Sequence, residues 1–204
     1  MTRNLVHRIE GKRCHHGRTT LKTMSEFQLY ADRFVEADRE ALVGFSCGES
    51  VSGRFCTEWI IGSGAFDSIS RGSTVWLYRL QTGEIVGFGS LGLVNWRWPM
   101  PDGSYTRLLY IPMLGIDERF QGQPPDSDWR YSNQIMNHLI AEANQLNSER
   151  KKPSEYLLLL VDPSNEAAQK LYARFDFEII PDVKFGPGLR VMKHRLADVD
   201  GESA

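Results

Sequence analysis

The chain reads as a single α/β domain on a mixed sheet, mostly antiparallel, with a parallel strand pair at its centre and helices flanking it. Three observations predict this. Residues 73–93 hold two β-branched and aromatic runs joined at Thr82-Gly83, the pattern of a hairpin. Residues 105–161 run apolar strand, polar stretch, amphipathic helix, apolar strand. That is a βαβ unit, with a right-handed crossover expected. Residues 157–180 then give strand, short helix, strand. A length of 204 residues suits one well-cored domain with extensions.

Residues 1–23 carry Arg3, Arg8, Lys12, Arg13, Arg18 and Lys22 against Glu10, a balance of +5. The net charge is −2, so the rest of the chain carries −7. With few apolar residues and no periodicity, the first 23 residues read as a flexible basic tail ahead of a domain over 24–196 and a polar tail over 197–204. Met24 is a second candidate start. Cys14-His15-His16 has no second cluster to complete a metal site, and a solvated tail is the simpler reading.

Residues 36–42 suggest a short helix and Phe45-Ser46-Cys47-Gly48 a turn. Phe55, Trp59, Ile60 and Phe66 mark a helical region broken at Gly62 and Gly64. In the second strand of the hairpin, Gly87, Gly89 and Gly92 imply close approach by a backbone or a ligand, or a strong bend. Residues 95–102, with Trp96 and Trp98, read as an aromatic loop. The strand over 105–116 contains Pro112, which cannot donate to a ladder. The strand must be bulged, splayed or at an edge there, and a splay leaves backbone groups free for an extended ligand. Residues 132–146 form an amphipathic helix burying Ile135, Met136, Leu139, Ile140 and Ala143, with His138 on the shoulder of that face, at the surface or core edge.

Residues 157–161 are a buried strand, ended by Asp162-Pro163. Ser164 or Asn165 can cap the helix over 165–175, whose apolar face is Ala168, Leu171 and Phe175. Asn165 and Tyr172 lie seven apart and share one stripe. They are a cap and a packed aromatic, or two residues lining one cleft. Strands follow at 177–180 and 189–195.

Several classes are excluded. No apolar run approaches the ~20 residues of a membrane span, and the N-terminus has no apolar core of a secretory signal. Three cysteines without metal-like spacing give neither a disulfide framework nor a zinc site, and a reducing cytoplasm is the default. The acidic body does not suggest general nucleic-acid binding.

Two segments carry a resemblance. One is Met113-Leu114-Gly115-Ile116-Asp117-Glu118-Arg119-Phe120-Gln121-Gly122-Gln123. The other is Asn165, Ala168, Leu171, Tyr172 and Phe177, set between strands. Together they resemble the GCN5-related N-acetyltransferase (GNAT) family, where such segments leave the fourth strand for a pyrophosphate loop and form the helix after the fifth. Phe45-x-Cys47-Gly48 before an aromatic helix is fainter. It resembles the GNAT toxins of toxin–antitoxin pairs, which acetylate aminoacyl-tRNA but are usually basic. The loop departs from the family's Gln/Arg-x-x-Gly-x-Gly/Ala. Its middle glycine is missing and residues 124–130, with Pro124, Pro125, Asp126 and Asp128, are inserted. Either the insertion loops out and leaves Gln121, Gly122 and Ser132 in place, or the cofactor loop is degraded and the chain is a binding module without catalysis.

The resemblance implies an N-acetyltransferase using acetyl-CoA and a primary amine acceptor, by direct attack in a ternary complex. On that reading backbone groups from Leu114 to Ile116 hold the thioester, and the Leu114 N–H serves the oxyanion. Gln121, Gly122, Gln123 and Ser132 surround the pyrophosphate. Asn165 meets the pantetheine arm or orders a water, and Tyr172 is the general acid for the leaving thiolate. No nucleophilic cysteine and no metal are implied. Glu84, Glu118 or a water chain could take the amine proton. The acceptor class stays open, with tRNA disfavoured by the acidic body. The fold's edge strands often pair between subunits, so a homodimer is an open expectation.

Overall fold

Nine strands form one sheet among the described residues, which are 7–8, 27–96, 105–125, 129–185 and 188–197 of a computed structural model. The strands are β1 (His7–Arg8), β2 (Tyr30–Arg33), β3 (Thr74–Arg79), β4 (Ile85–Trp96), β5 (Thr106–Ile111), β6 (Leu114–Ile116), β7 (Tyr156–Val161), β8 (Glu178–Phe185) and β9 (Leu189–Arg195). The helices are α1 (Val51–Ile61), α2 (Gly64–Ser70), α3 (Tyr131–Ser148) and α4 (Glu166–Ala173). Outside the described residues lie the basic tail apart from His7–Arg8, the polar tail apart from Ala197, and residues 97–102 of the expected aromatic loop, whose first two residues, Asn95 and Trp96, belong to β4 instead.

The sheet order is β1-β2-β3-β4-β5-β7-β9-β8, with β6 paired to β4 off that path. The β5–β7 pair is parallel, through Leu109↔Leu157, Tyr110↔Leu158 and Ile111↔Leu159, and the other pairings are antiparallel. Side chains alternate across the sheet, so each register pair assigns a face. Leu109, Leu157 and Leu159 share a core with Ile135, Met136 and Leu139 of α3 and Leu171 and Tyr172 of α4. The crossovers β5-α3-β7 and β7-α4-β8 advance in the same direction along the sheet, and connections of one hand then put α3 and α4 on one face. Val75, Leu77 and Phe88 point the other way, onto Ile60 and Ala65 of α1 and α2.

Local chemistry explains most boundaries. Ser50 caps α1 by accepting from Gly53 N, and Asn165 caps α4 by accepting from Ala168 N. Gly62 ends α1, and a Cβ on Gly64 would lie 2.6 Å from the Trp59 ring. Gly87 and Gly89 answer to packing: their missing Cβ atoms would meet Gly115 O at 2.5 Å and Leu139 Cδ1 at 2.9 Å.

Two expectations need correction. Residues 36–42 form two 3-10 turns, Glu36–Asp38 and Glu40–Leu42, because the bonds that close are i to i+3 and Leu42 alone is buried. His138 is 5% exposed, not at the surface; its Nδ1 lies 2.9 Å from the Tyr78 hydroxyl, and Trp76 and Tyr78 meet it edge-on. No helix among the described residues is long and apolar enough to cross a membrane.

Candidate active site

Pro112 and Met113 separate β5 from β6. Up to Ile111 the strand runs beside β7; beyond Met113 it pairs with β4 alone, and a gap opens between β6 and β7. Ser90, fully buried, seats this break. Met113 N donates to Ser90 Oγ at 2.9 Å, and Ser90 N donates to Met113 O at 3.0 Å. Asp117 N donates to Val86 O at 2.9 Å, two pairs further along. Antiparallel ladders alternate bonded and non-bonded pairs. Residues 113, 115 and 117 therefore face β4, and the N–H and C=O groups of Leu114 and Ile116 turn outward to the gap.

Two helices wall that gap. From α1, Cys56 Sγ lies 3.7 Å from Leu114 O and 3.5 Å from Met113 Sδ. From α4, Tyr172 is 8% exposed, and its ring packs on Phe177 at 6.0 Å between centroids. Burial raises the Tyr172 hydroxyl well above the ordinary tyrosine value; the Cys56 thiol and the Tyr110 hydroxyl are near enough to raise it further. Among the described residues that hydroxyl has no hydrogen-bond partner. Side chains from α1, α4 and β5 thus converge where the strands part. Burial pushes Cys56 up to about 11, and Cys47 up to about 12 with a contribution from Cys56. Both stay protonated thiols at neutral pH, a form with little nucleophilicity. Asn165 spends its Oδ1 on the Ala168 N–H at 3.0 Å, which leaves its amide NH2. The starts of α1 and α4 face each other across a cleft of about 400 Å³.

The loop after β6 is tightly tied. Asp117, 1% exposed, takes Arg119 Nε at 2.8 Å and Nη2 at 3.0 Å. Glu84 and Glu118, the two acids considered for the base, both act on that guanidinium. Gly122 has φ +73°, which favours glycine, and open space where a Cβ would be. The Gln121 amide donates to Cys47 O and Ile116 O, both at 3.0 Å. Tyr131 N donates to Gln123 O at 2.9 Å. That bond brings the start of α3 against Gln123, the residue just before the insertion. Asn133 N and Gln134 N are spent on Arg130 O. Among the described residues, the N–H groups of Gly122 and Ser132 have no partner.

Hairpin strands, a strand split between antiparallel and parallel partners, and two successive crossover helices make this a GNAT-like fold. Among the solved structures that are similar to the chain are three of known toxins and their complexes. A point mutant of the toxin AtaT, bound to the C-terminus of the antitoxin AtaR and acetyl-CoA, superposes with a TM-score of 0.59 at 14% identity, over 82% of this chain and 92% of that one. AtaT complexed with acetyl-methionyl-tRNAfMet gives 0.58 at 16%, over 82% and 94%. A KacTA–DNA complex gives 0.59 at 16%, over 82% and 93%. At such identities the shared property is the fold. No protein-family profile matches the sequence, and no curated protein matches it significantly.

Proposed function

We propose that the chain is an acetyl-CoA-dependent N-acetyltransferase that passes the acetyl group directly to a primary amine. One observation supports this reading: buried Tyr172 on α4 lies near enough to Cys56 for the thiol to weigh on its hydroxyl, and Cys56 Sγ is 3.7 Å from Leu114 O, where the strand has parted from β7. The residues fit an extended acyl-CoA. Leu114 N–H is placed to stabilise charge on the thioester oxygen. Ile116 and the Asn165 amide NH2 offer partners to the pantetheine arm. Gly122 and Ser132 present N–H groups at the start of α3, where a helix favours phosphate. Gln123 serves by holding Tyr131 and so the helix start. Tyr172, kept protonated by burial, supplies the proton that the leaving thiolate needs. The protonated state of both thiols agrees with direct attack and no cysteine intermediate.

The AtaT complex with an acetylated aminoacyl-tRNA makes an aminoacyl-tRNA one acceptor class to test. A body charge of −7 offers little general attraction for a polyanion. A second reading, a binding module of this fold without turnover, is favoured by Pro124 and Pro125, which have no N–H to offer phosphate.

The test is release of free thiol from acetyl-CoA in the presence of an amine panel that includes charged tRNA. Tyr172→Phe should lose about a hundredfold or more in turnover while its acetyl-CoA affinity holds within about twofold. Equal turnover in the variant would remove Tyr172 from the mechanism; none in the wild type across the panel would favour the binding module.

A further inference from the structure

The Gln121 side chain joins two backbone carbonyls from different parts of the site. Its Nε2 donates to Cys47 O and to Ile116 O. Both partners can only accept, so the NH2 end must face them. Ile116 O is one of the groups that the β4–β6 register turns toward the gap. Cys47 O belongs to the turn ahead of α1. That turn is already fitted to the strand: Glu118 N donates to Ser46 O at 2.7 Å, and a Cβ on Gly115 would lie 2.7 Å from Cys47 Sγ. It is fitted equally to α1, where a Cβ on Gly53 would lie 2.4 Å from Gly48 O. The splayed strand, the turn and α1 therefore form one wall, and Gln121 clasps it at the mouth of the gap. With both amide hydrogens spent, its remaining polar atom is Oε1, an acceptor that cannot bond a phosphate oxygen.

We propose that Gln121 is a positioning residue: its amide holds the splayed strand against the turn ahead of α1, and so sets the shape of the wall that the gap presents to the acyl chain. This role rests on the acetyl-CoA reading above. It differs from the place the family resemblance implies for Gln121, on the pyrophosphate.

Hydrogen exchange and ligand titration separate the two roles. The Cys47 and Gly48 amides are bonded to Thr57 Oγ1 and Ser46 Oγ, so their exchange reports opening of the turn. Gln121→Met keeps the bulk and removes the donors, and Gln121→Glu replaces the donor by an acceptor. In both variants without ligand, exchange over residues 45–50 should quicken about tenfold, equivalent to about 1.4 kcal/mol. Acetyl-CoA should bind about tenfold more weakly, and 3′-phosphoadenosine 5′-diphosphate, the phosphate-bearing half, as in the wild type. Unchanged exchange with weaker binding of both ligands would make Gln121 a phosphate ligand and overturn the proposal. So would unchanged acetyl-CoA affinity, whatever the exchange does. A wild-type protein that binds no acetyl-CoA would overturn the functional reading and this role with it.

Discussion

Ser90 shows how one residue can hold a functional feature in place. Its hydroxyl accepts from Met113 N where the strand has just lost a donor at Pro112. Ser90→Ala would leave a part-buried N–H without that partner, at a cost of about 1–3 kcal/mol. Urea unfolding should show the midpoint falling with the slope unchanged; equal midpoints would mean that Ser90 does not seat the break. The break itself is legible in the sequence, because proline cannot donate to a ladder. Ser90 is not: among Gly87, Gly89 and Gly92 it reads as one more small residue. Tyr172 is less legible. Its spacing from Asn165 puts both on one stripe, but from pattern alone a cap with a packed aromatic is the simpler reading. The neighbours that weigh on its hydroxyl, Cys56 and Tyr110, come from distant parts of the chain and leave no local pattern.

At the scale of elements, periodicity carries far. The run at β7 and the i, i+4 apolar spacing of α3 made the βαβ unit readable, and the structure places both elements within about a residue or two of the expected bounds. What aligns β5 with β7 is polar and was missed. Asn147, 1% exposed, donates to Ser154 O at 2.8 Å and accepts from Ser154 N at 2.6 Å, while Ser154 Oγ accepts from Leu109 N at 3.0 Å. Asn147→Ala should cost about 2–3 kcal/mol by stranding buried partners, seen as a fall in Tm of about 5–10 °C. A shift below about 1 °C would mean that the β5–β7 register is set elsewhere. His138 is only partly legible for a related reason: its helical position fits both the surface and the core edge, and the Tyr78 hydroxyl that draws it inward sits on a strand remote in sequence.

At the scale of the molecule, element order is readable from the hairpin onward, but β1 and β2, which precede it with no local signal, and the strand order are not. The insertion of β9 between β7 and β8 depends on packing across the sheet, not on local pattern. Burial gives the whole fold an alkaline sensitivity. Cys47 and Cys56 rise from 9.0 to about 12 and about 11, so the unfolded chain ionises them before the folded chain does. As pH rises past about 9 the unfolded state has shed protons that the native state still holds. This contribution to stability is therefore complete below about pH 9 and declines between about pH 9 and 11 for Cys56 and between about pH 9 and 12 for Cys47. Tm should fall across that window, and fall less steeply in Cys56→Ala; identical slopes would remove Cys56 from the effect.

The proposed function stands or falls on the gap between β6 and β7 as a seat for an acyl-CoA. Calorimetric titration of the full chain with acetyl-CoA tests this most directly. Saturable binding of one acetyl-CoA per chain, with a matching rise in Tm, is the expected result. No heat and no thermal stabilisation at millimolar acetyl-CoA would contradict it.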